Sequence, residues 1–306
     1  MRKIFRIASF ALLLAVGVAC STDDVPQEPL GTYPILFRCM DETRAVATVG
    51  SMQSDSNGFA VYAFFTNNNA SQSFDKNVKY TNGSWTYQHN NQALEYWIPG
   101  ATYYFKAVYP TTINYAVGNS TTTQPLTITG YDITNQYDIL VAEAGPLTVD
   151  PVVGAPGSGS VVSLQFKHLL ACVVVKIKAE VNVTINNVSL KYVPVNGSYA
   201  GGLWSYSSQG NIEKDGLNKS LSSSSNEYHD VTDGGFLAFP CDINETKLYI
   251  KTSDKTYELP LTAPTSWVAG NRYTYTLTIK QDNILFDEPT VEEWDEENAT
   301  GSVVIK

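Results

Sequence analysis

The sequence has few of the residues from which most active sites are built. It contains three histidines, His89, His168 and His229, and none lies at a zinc-motif spacing such as H-E-x-x-H. No nucleophile elbow of the G-x-S-x-G type, no phosphate-binding loop and no dinucleotide-binding glycine pattern is present. These absences argue against metalloenzymes, serine hydrolases and nucleotide-dependent enzymes. We therefore expect no catalytic residue, no metal and no cofactor.

Long apolar runs are also scarce. The longest, Ile7 to Val18, is about a dozen residues, whereas a membrane-spanning helix needs roughly 20. It follows the basic start Arg2-Lys3 and ends at Ala19-Cys20, which is the pattern of a signal peptide over residues 1–19. A cysteine after a small residue resembles a lipobox, so Cys20 is predicted to carry the lipid. The alternative is an ordinary secretory signal with an incidental cysteine.

The segment after Cys20 fits a lipid anchor. Residues 21–29 are short, polar and proline-bearing, as a flexible tether should be, and resemble the acidic export tags of surface lipoproteins in Bacteroides-like bacteria. We therefore predict an outer-membrane lipoprotein exposed at the cell surface.

Basic residues are outnumbered by acidic ones. Loss of residues 1–19 removes three positive charges and changes the formal charge from −10 to −13, which argues against nucleic acid as a partner. Many of the acids lie between Asp282 and Glu297. A solvated, charged edge is the interpretation we prefer there, because no calcium-binding loop pattern occurs; a docking face is the alternative.

Cysteines number only four. With Cys20 assigned to lipid, Cys172 and Cys241 form either a disulfide or two buried thiols, and each lies in or beside an apolar run. We favour buried thiols slightly. Cys39 is left over.

Helical periodicity is nearly absent, whereas tyrosine, threonine, valine and phenylalanine abound. Turn signals such as Asn82-Gly83, Asn196-Gly197 and Asp215-Gly216 separate the apolar runs. An all-β fold of antiparallel sandwiches is therefore predicted. The predicted strands cover residues 59–65, 103–109, 126–128, 139–143, 161–166, 172–179, 183–192, 236–239, 247–251 and 272–280.

Two domains are expected from the length of the chain. The flexible segment 154–160, rich in glycine, serine and proline, is the predicted linker. A long hairpin loop within one domain is the alternative.

Tryptophan offers another line of evidence. The five tryptophans, Trp85, Trp97, Trp204, Trp267 and Trp294, would stack on sugar rings if they faced solvent, but most tryptophans in β-sandwiches are core residues. His168 lies beside Phe166 and Leu169, and a structural histidine at a strand end is the preferred interpretation. Glycoside hydrolysis leaves no local spacing pattern, so a paired-carboxylate enzyme stays a minor alternative.

Several stretches resemble the fimbrillin family of Bacteroidetes, which includes FimA-like and Mfa-like pilus subunits with their anchor and tip relatives. The resemblance rests on blocks whose order and spacing span nearly the whole chain. These are G-F-A-V-Y-A-F (58–64), Y-D-I-L-V-A (137–142), L-Q-F-K-H-L-L (164–170), W-V-A-G-N-R-Y-T-Y-T-L (267–277) and V-E-E-W (291–294).

The resemblance implies two transthyretin-like β-sandwich domains and assembly by strand exchange. Tyr33, Ile35, Phe37 and Cys39 alternate onto one face of a plausible plug strand, which a protease cut after an arginine would release. Arg44 is the predicted cleavage site, and Arg38 is the less favoured one because it interrupts the strand. Cys39 would then leave with the propeptide.

The expected organisation is a signal peptide over 1–19, a lipidated propeptide with the plug strand over 20–44, an N-terminal sandwich over 45–157 and a C-terminal sandwich with an acidic tail over 158–306.

The tail of the chain departs from the expected pattern. Only Val303, Val304 and Ile305 offer a short candidate donor strand, so a tip or anchor role competes with a shaft role. The predicted function is a non-enzymatic fimbrial subunit or adhesin. Its expected partners are other fimbrial subunits and, in addition, host protein or glycan. A surface glycan-binding lipoprotein is the alternative.

Overall fold

A computed structural model describes residues 33–40, 52, 54–55, 57–67, 70–81, 83–87, 92–118, 125–157 and 159–294. These residues form nineteen strands and a short 3-10 helix, Ile133–Asn135. Within this part of the chain, no helix is long and apolar enough to cross a membrane. In chain order the strands are β1 Leu36–Met40, β2 Phe59–Asn67, β3 Ala70–Thr81, β4 Ser84–Tyr87, β5 Thr102–Tyr109, β6 Tyr115–Val117, β7 Leu126–Asp132, β8 Leu140–Thr148, β9 Val161–His168, β10 Ala171–Ala179, β11 Val183–Ala200, β12 Leu203–Leu221, β13 His229–Asp230, β14 Phe236–Ala238, β15 Lys247–Thr252, β16 Thr256–Pro260, β17 Asn271–Ile279, β18 Ile284–Phe286 and β19 Thr290–Glu293.

The N-terminal sheet has seven strands in the order β1-β9-β8-β5-β2-β3-β4. Its central strand β5 alternates in period two, so that Tyr103, Phe105 and Ala107 are all buried on one face. The two edge strands approach each other, with the rings of Phe37 and Tyr87 6.2 Å apart. The sheet therefore curves around an apolar core rich in aromatic rings.

The C-terminal strands form two further sheets. In one, β10 and β17 lie at the centre, with β13 and β14 along the outer edge of β10 and β18 and β19 along that of β17. In the other, β12 follows β11 on one side, whereas β15 and β7 share its opposite side. The nearly all-apolar strand β10 supplies much of the buried core between these two sheets.

The all-β prediction is confirmed, and each of the ten predicted strands overlaps an observed one. The sheets are not purely antiparallel, however, because β1 pairs with β9 and β10 pairs with β17 in parallel. Parallel neighbours need connections that cross over, and no pattern within a single strand reveals which strands those connections bring together.

The predicted domain boundary after residue 157 falls in a connection between two strands of one sheet. The segment 154–160 connects β8 to β9, which are hydrogen-bonded neighbours in one sheet. Conversely, β6 and β7 precede that segment yet pair in the C-terminal half. The domain boundary itself stays a prediction. Composition identified a loop but not the partners of the strands around it.

Two of the three predicted turns are wrong. Gly83 does lie between β3 and β4, but Asn196-Gly197 lies within β11 and Asp215-Gly216 lies within β12. Register shifts occur at both positions, so these residues form irregularities in a continuous ladder. The chain reverses instead at Gly201 and Gly202, whose φ angles of 59° and 84° suit a tight hairpin turn.

Candidate functional site

The plug strand predicted from the sequence lies at one edge of the N-terminal sheet. Its alternating residues face the core: Ile35 is 0% exposed, Phe37 is 6% exposed, and Tyr33 and Cys39 are half-buried against the same cluster. Leu36 and Arg38 point to the opposite, exposed side. The ring of Phe37 meets that of Phe105 edge-on at 5.8 Å, which anchors the strand to the central strand β5.

The backbone of this segment bonds to two different neighbours. Residues 33–35 pair with residues 95–97, where the Ile35 amide donates to the Glu95 carbonyl at 2.8 Å. From Leu36 onward the chain instead pairs in parallel with β9. Within the described residues, β1 therefore has backbone hydrogen bonds to one strand only, and its edge towards β4 is unpaired.

A gap of about 240 Å³ separates β1 from β4. Apolar and aromatic groups from both sides line it, among them Ile35, Phe37, Trp85 and Tyr87. One side chain bridges it: the Tyr87 hydroxyl donates to the Ile35 carbonyl at 2.8 Å. Burial raises the pKa of Tyr87 to about 12, so the hydroxyl keeps its proton and can donate at neutral pH. Sequence reasoning missed Tyr87 because nothing in its local pattern distinguishes it from other strand tyrosines.

Of the other residues predicted to act in processing or assembly, only Arg38 lies among the described residues. Arg38 is exposed, and its Nε donates to the Ser163 hydroxyl of β9 at 2.7 Å. Cys20, Arg44 and the candidate donor residues Val303, Val304 and Ile305 lie outside the described residues. Those three roles stay predictions.

Cys172 and Cys241 are separate thiols, as we favoured. Cys172 is buried and its thiol donates to the Gly234 carbonyl at 3.3 Å, while Cys241 is half-buried. Burial raises the pKa of both thiols to about 12, which makes them poor nucleophiles at neutral pH.

The contacts of His168 are those of a histidine with a structural role. Its Nδ1 lies 2.5 Å from Oδ2 of buried Asp138, and its ring stacks on that of Trp294 at 3.7 Å between centroids. The three side chains join the end of β9, the start of β8 and the end of the described chain. Among the residues that the structure describes, no group of three histidine, cysteine or acidic side chains is placed to hold a metal ion.

The tryptophans form no solvent-facing sugar platform. Trp97, Trp267 and Trp294 are at most 2% exposed. Trp85 is half-buried against Phe59, and half-buried Trp204 packs on Phe239 and donates from Nε1 to the Leu169 carbonyl. The observation that would have favoured glycan binding through tryptophan is therefore lacking.

Comparison with known proteins identifies the family of this all-β chain. A family model described as fimbrillin-like matches residues 43–294, which is most of the chain. The chain belongs to the fimbrillin-like family. This is a family of fimbrial structural and adhesion proteins rather than of enzymes. Among curated proteins, none matches the chain significantly.

Solved structures of Bacteroides proteins share the fold of this fimbrillin-like chain. A fimbrial protein from Bacteroides vulgatus superposes with a TM-score of 0.61 at 17% identity, covering 85% of this chain and 99% of that one. A candidate cell adhesion protein from Bacteroides ovatus gives a TM-score of 0.58 at 16% identity, covering 87% and 99% of the two chains. At these identities the likeness establishes the fold.

Proposed function

We propose that this fimbrillin-like protein is an adhesive subunit of a surface fimbrium, assembled when β1 leaves the N-terminal sheet and a strand from a neighbouring subunit replaces it. The observation that carries the proposal is the position of β1. It is an edge strand that contains buried Phe37 and directly follows buried Ile35. Its backbone hydrogen bonds go to a single strand, and an open gap lies on its other side.

Physical chemistry supports such an exchange. Removing β1 together with the residues just before it would uncover the core beneath Ile35 and Phe37, and burying a side chain of either size is worth about 1.5–3 kcal/mol. It would also leave the β9 edge unpaired, and a free sheet edge is a template for a strand from another chain. An incoming strand with alternating apolar residues would restore both the hydrogen bonds and the core contacts.

The proposed maturation begins at the outer membrane. Cys20 would carry the lipid during export, and cleavage after Arg44 would then free the segment that contains β1 and Cys39. Cleavage after Arg38 is less favourable because that residue lies within a paired strand and binds Ser163. Residues 303–305 would act as donor in a shaft subunit, whereas a tip or anchor subunit would not need them.

The first test is the N-terminus of the protein isolated from the surface of the native bacterium, measured by mass spectrometry beside detergent-resistant ladders on gels. We expect a start at Ala45 and ladders. Arg44→Ala should abolish both, whereas Arg38→Ala, the matched control, should leave both unchanged. A blocked, lipidated Cys20 together with monomer alone would contradict assembly by strand exchange.

A further inference from the structure

We propose that the sheet containing β11, β15 and β16 binds a sugar ring of a surface glycan on its outer face. The binding surface is the Tyr192 patch, formed by Lys191, Tyr192, Lys247, Tyr249 and Glu258. This inference rests on the adhesive part of the proposed function. It does not depend on strand exchange, because the patch lies on β11, β15 and β16 and includes no residue of the N-terminal sheet.

A bulge in β11 places Tyr192 on this face. Leu190 and Val193 are buried while Lys191 and Tyr192 both point outward, so the alternation of the strand is broken at Tyr192. In a regular strand Tyr192 would face the core. Its φ of 60° is in the left-handed region, which a bulky residue rarely adopts. The backbone is thus strained at Tyr192, and the same bulge turns the tyrosine side chain outward, where the residue is 49% exposed.

The neighbours of Tyr192 form a connected polar network. Glu258 accepts hydrogen bonds from the Lys247 ammonium and from the Tyr249 hydroxyl. These bonds lower the pKa of Glu258, so its carboxylate is charged at neutral pH. Lys247 lies 5.6 Å from the centroid of the Tyr192 ring, and Lys191 lies 3.7 Å from that of Tyr249. Such contacts fix donors and acceptors around the exposed ring before a ligand arrives.

The chemistry of the patch fits a sugar better than other ligands. A sugar ring offers an apolar C–H face to an aromatic ring and hydroxyls that both donate and accept, which matches ammonium donors beside a carboxylate acceptor. Cores of protein interfaces are depleted in lysine and glutamate, yet these residues surround Tyr192 directly. The acidic chain and Glu258 disfavour nucleic acid. The Tyr192 hydroxyl makes no hydrogen bond within the described residues and is available to a ligand.

The test is binding of the purified full chain to printed oligosaccharides ending in galactose, N-acetylglucosamine, fucose or sialic acid. We expect at least one to bind, and Tyr192→Gly to weaken that binding at least tenfold. Glycine adopts positive φ freely, so this variant should keep the urea midpoint of the wild type and separate lost binding from lost folding. Tyr192→Phe should retain most of the binding.

A matched control is Tyr137→Ala, which removes a tyrosine that is 62% exposed and lies outside the patch and should leave binding unchanged. Failure of the wild type to bind any printed oligosaccharide, or wild-type binding by Tyr192→Gly, would overturn the inference. Neither result affects the detergent-resistant ladders, so failure here and failure of strand exchange are separate outcomes.

Discussion

At the residue scale, the Tyr87 hydroxyl makes a hydrogen bond across the open side of the segment that contains β1. Tyr87 of β4 bonds to the carbonyl of Ile35, the residue just before β1, in a place where no backbone ladder joins these two described strands. The alternation of Tyr33, Ile35, Phe37 and Cys39 predicted which face of the strand is apolar. That alternation did not predict the hydrogen bond from Tyr87, because Tyr87 and Ile35 lie far apart in the chain.

We expect Tyr87→Phe to lower the free energy of unfolding by about 1 kcal/mol, the usual net value of a hydrogen bond. It should also increase hydrogen exchange in residues 36–40 more than elsewhere. Urea titration and exchange mass spectrometry measure these two effects. Tyr80→Phe is the control, since the Tyr80 ring packs on Trp85 at 5.2 Å but its hydroxyl has no partner in the described structure. Equal effects of the two substitutions would show that Tyr87 has no special role.

A second prediction at this scale concerns Asp138. Its carboxylate lies 2.5 Å from Nδ1 of His168, and both residues are buried. Asp138→Ala leaves the imidazole without this acceptor, so we expect a loss of about 1–3 kcal/mol in a urea titration. Exposed Asp254 is the control, and Asp254→Ala should change stability by less than about 0.5 kcal/mol. An Asp138→Ala variant as stable as the wild type would contradict the structural role of His168.

At the scale of elements, apolar strands were predictable and polar ones were not. The ten predicted strands carry runs of buried residues, whereas β12 is exposed along most of its nineteen residues. Polar residues such as Ser205, Ser207 and Gln209 have no strand signal of their own, and pairing with β11 imposes the extended conformation. The turn predictions at Asn196-Gly197 and Asp215-Gly216 were wrong for a related reason, because an Asn-Gly or Asp-Gly pair also fits a bulge within a long pair of strands.

Two glycines beside strands of the N-terminal sheet provide a prediction at this scale. Gly58, which precedes β2, has φ of 60°, and a Cβ there would lie 2.0 Å from the Val78 carbonyl oxygen of β3. Gly83, between β3 and β4, has φ of 85° and open space around it. Gly83→Ala should cost about 1–2 kcal/mol for the left-handed backbone alone. Gly58→Ala should cost about 3 kcal/mol or more, because the clash adds to that strain.

Thermal or urea unfolding of the two glycine variants measures this difference directly. Similar losses for both would mean that β2 and β3 separate enough to accept a methyl group, and that their close approach at Gly58 contributes little to the sheet.

At the scale of the whole molecule, the sequence predicted class and family better than the arrangement of parts. Composition and strand patterns predicted an all-β fold, and five short blocks predicted the fimbrillin resemblance that the family match confirms. The division of strands between sheets was not predictable, because β9 returns to the N-terminal sheet after the segment that composition marked as a linker. The Tyr192 patch was hidden too, since a bulge and three strands create it.

The last prediction concerns the molecule in alkaline solution. Burial raises the pKa of several groups to about 12 from ordinary values of 9.0 for thiols and 10.0 for phenols; these groups are Cys172, Cys241, Tyr87, Tyr103, Tyr109 and Tyr275. A folded-state pKa above the unfolded value means that the unfolded chain loses its protons first. Stability is then complete below about pH 9 and falls as the pH rises towards 12.

For buried Cys172 the fall is about 1.4 kcal/mol per pH unit above 9, and the phenols add further losses above pH 10. Urea titrations between pH 7 and 11 should follow that profile. Replacing both Cys172 and Cys241 by alanine should move the start of the decline from about pH 9 to about pH 10. A wild-type stability that is constant up to pH 11 would mean that these thiols and phenols are accessible to water in the folded protein.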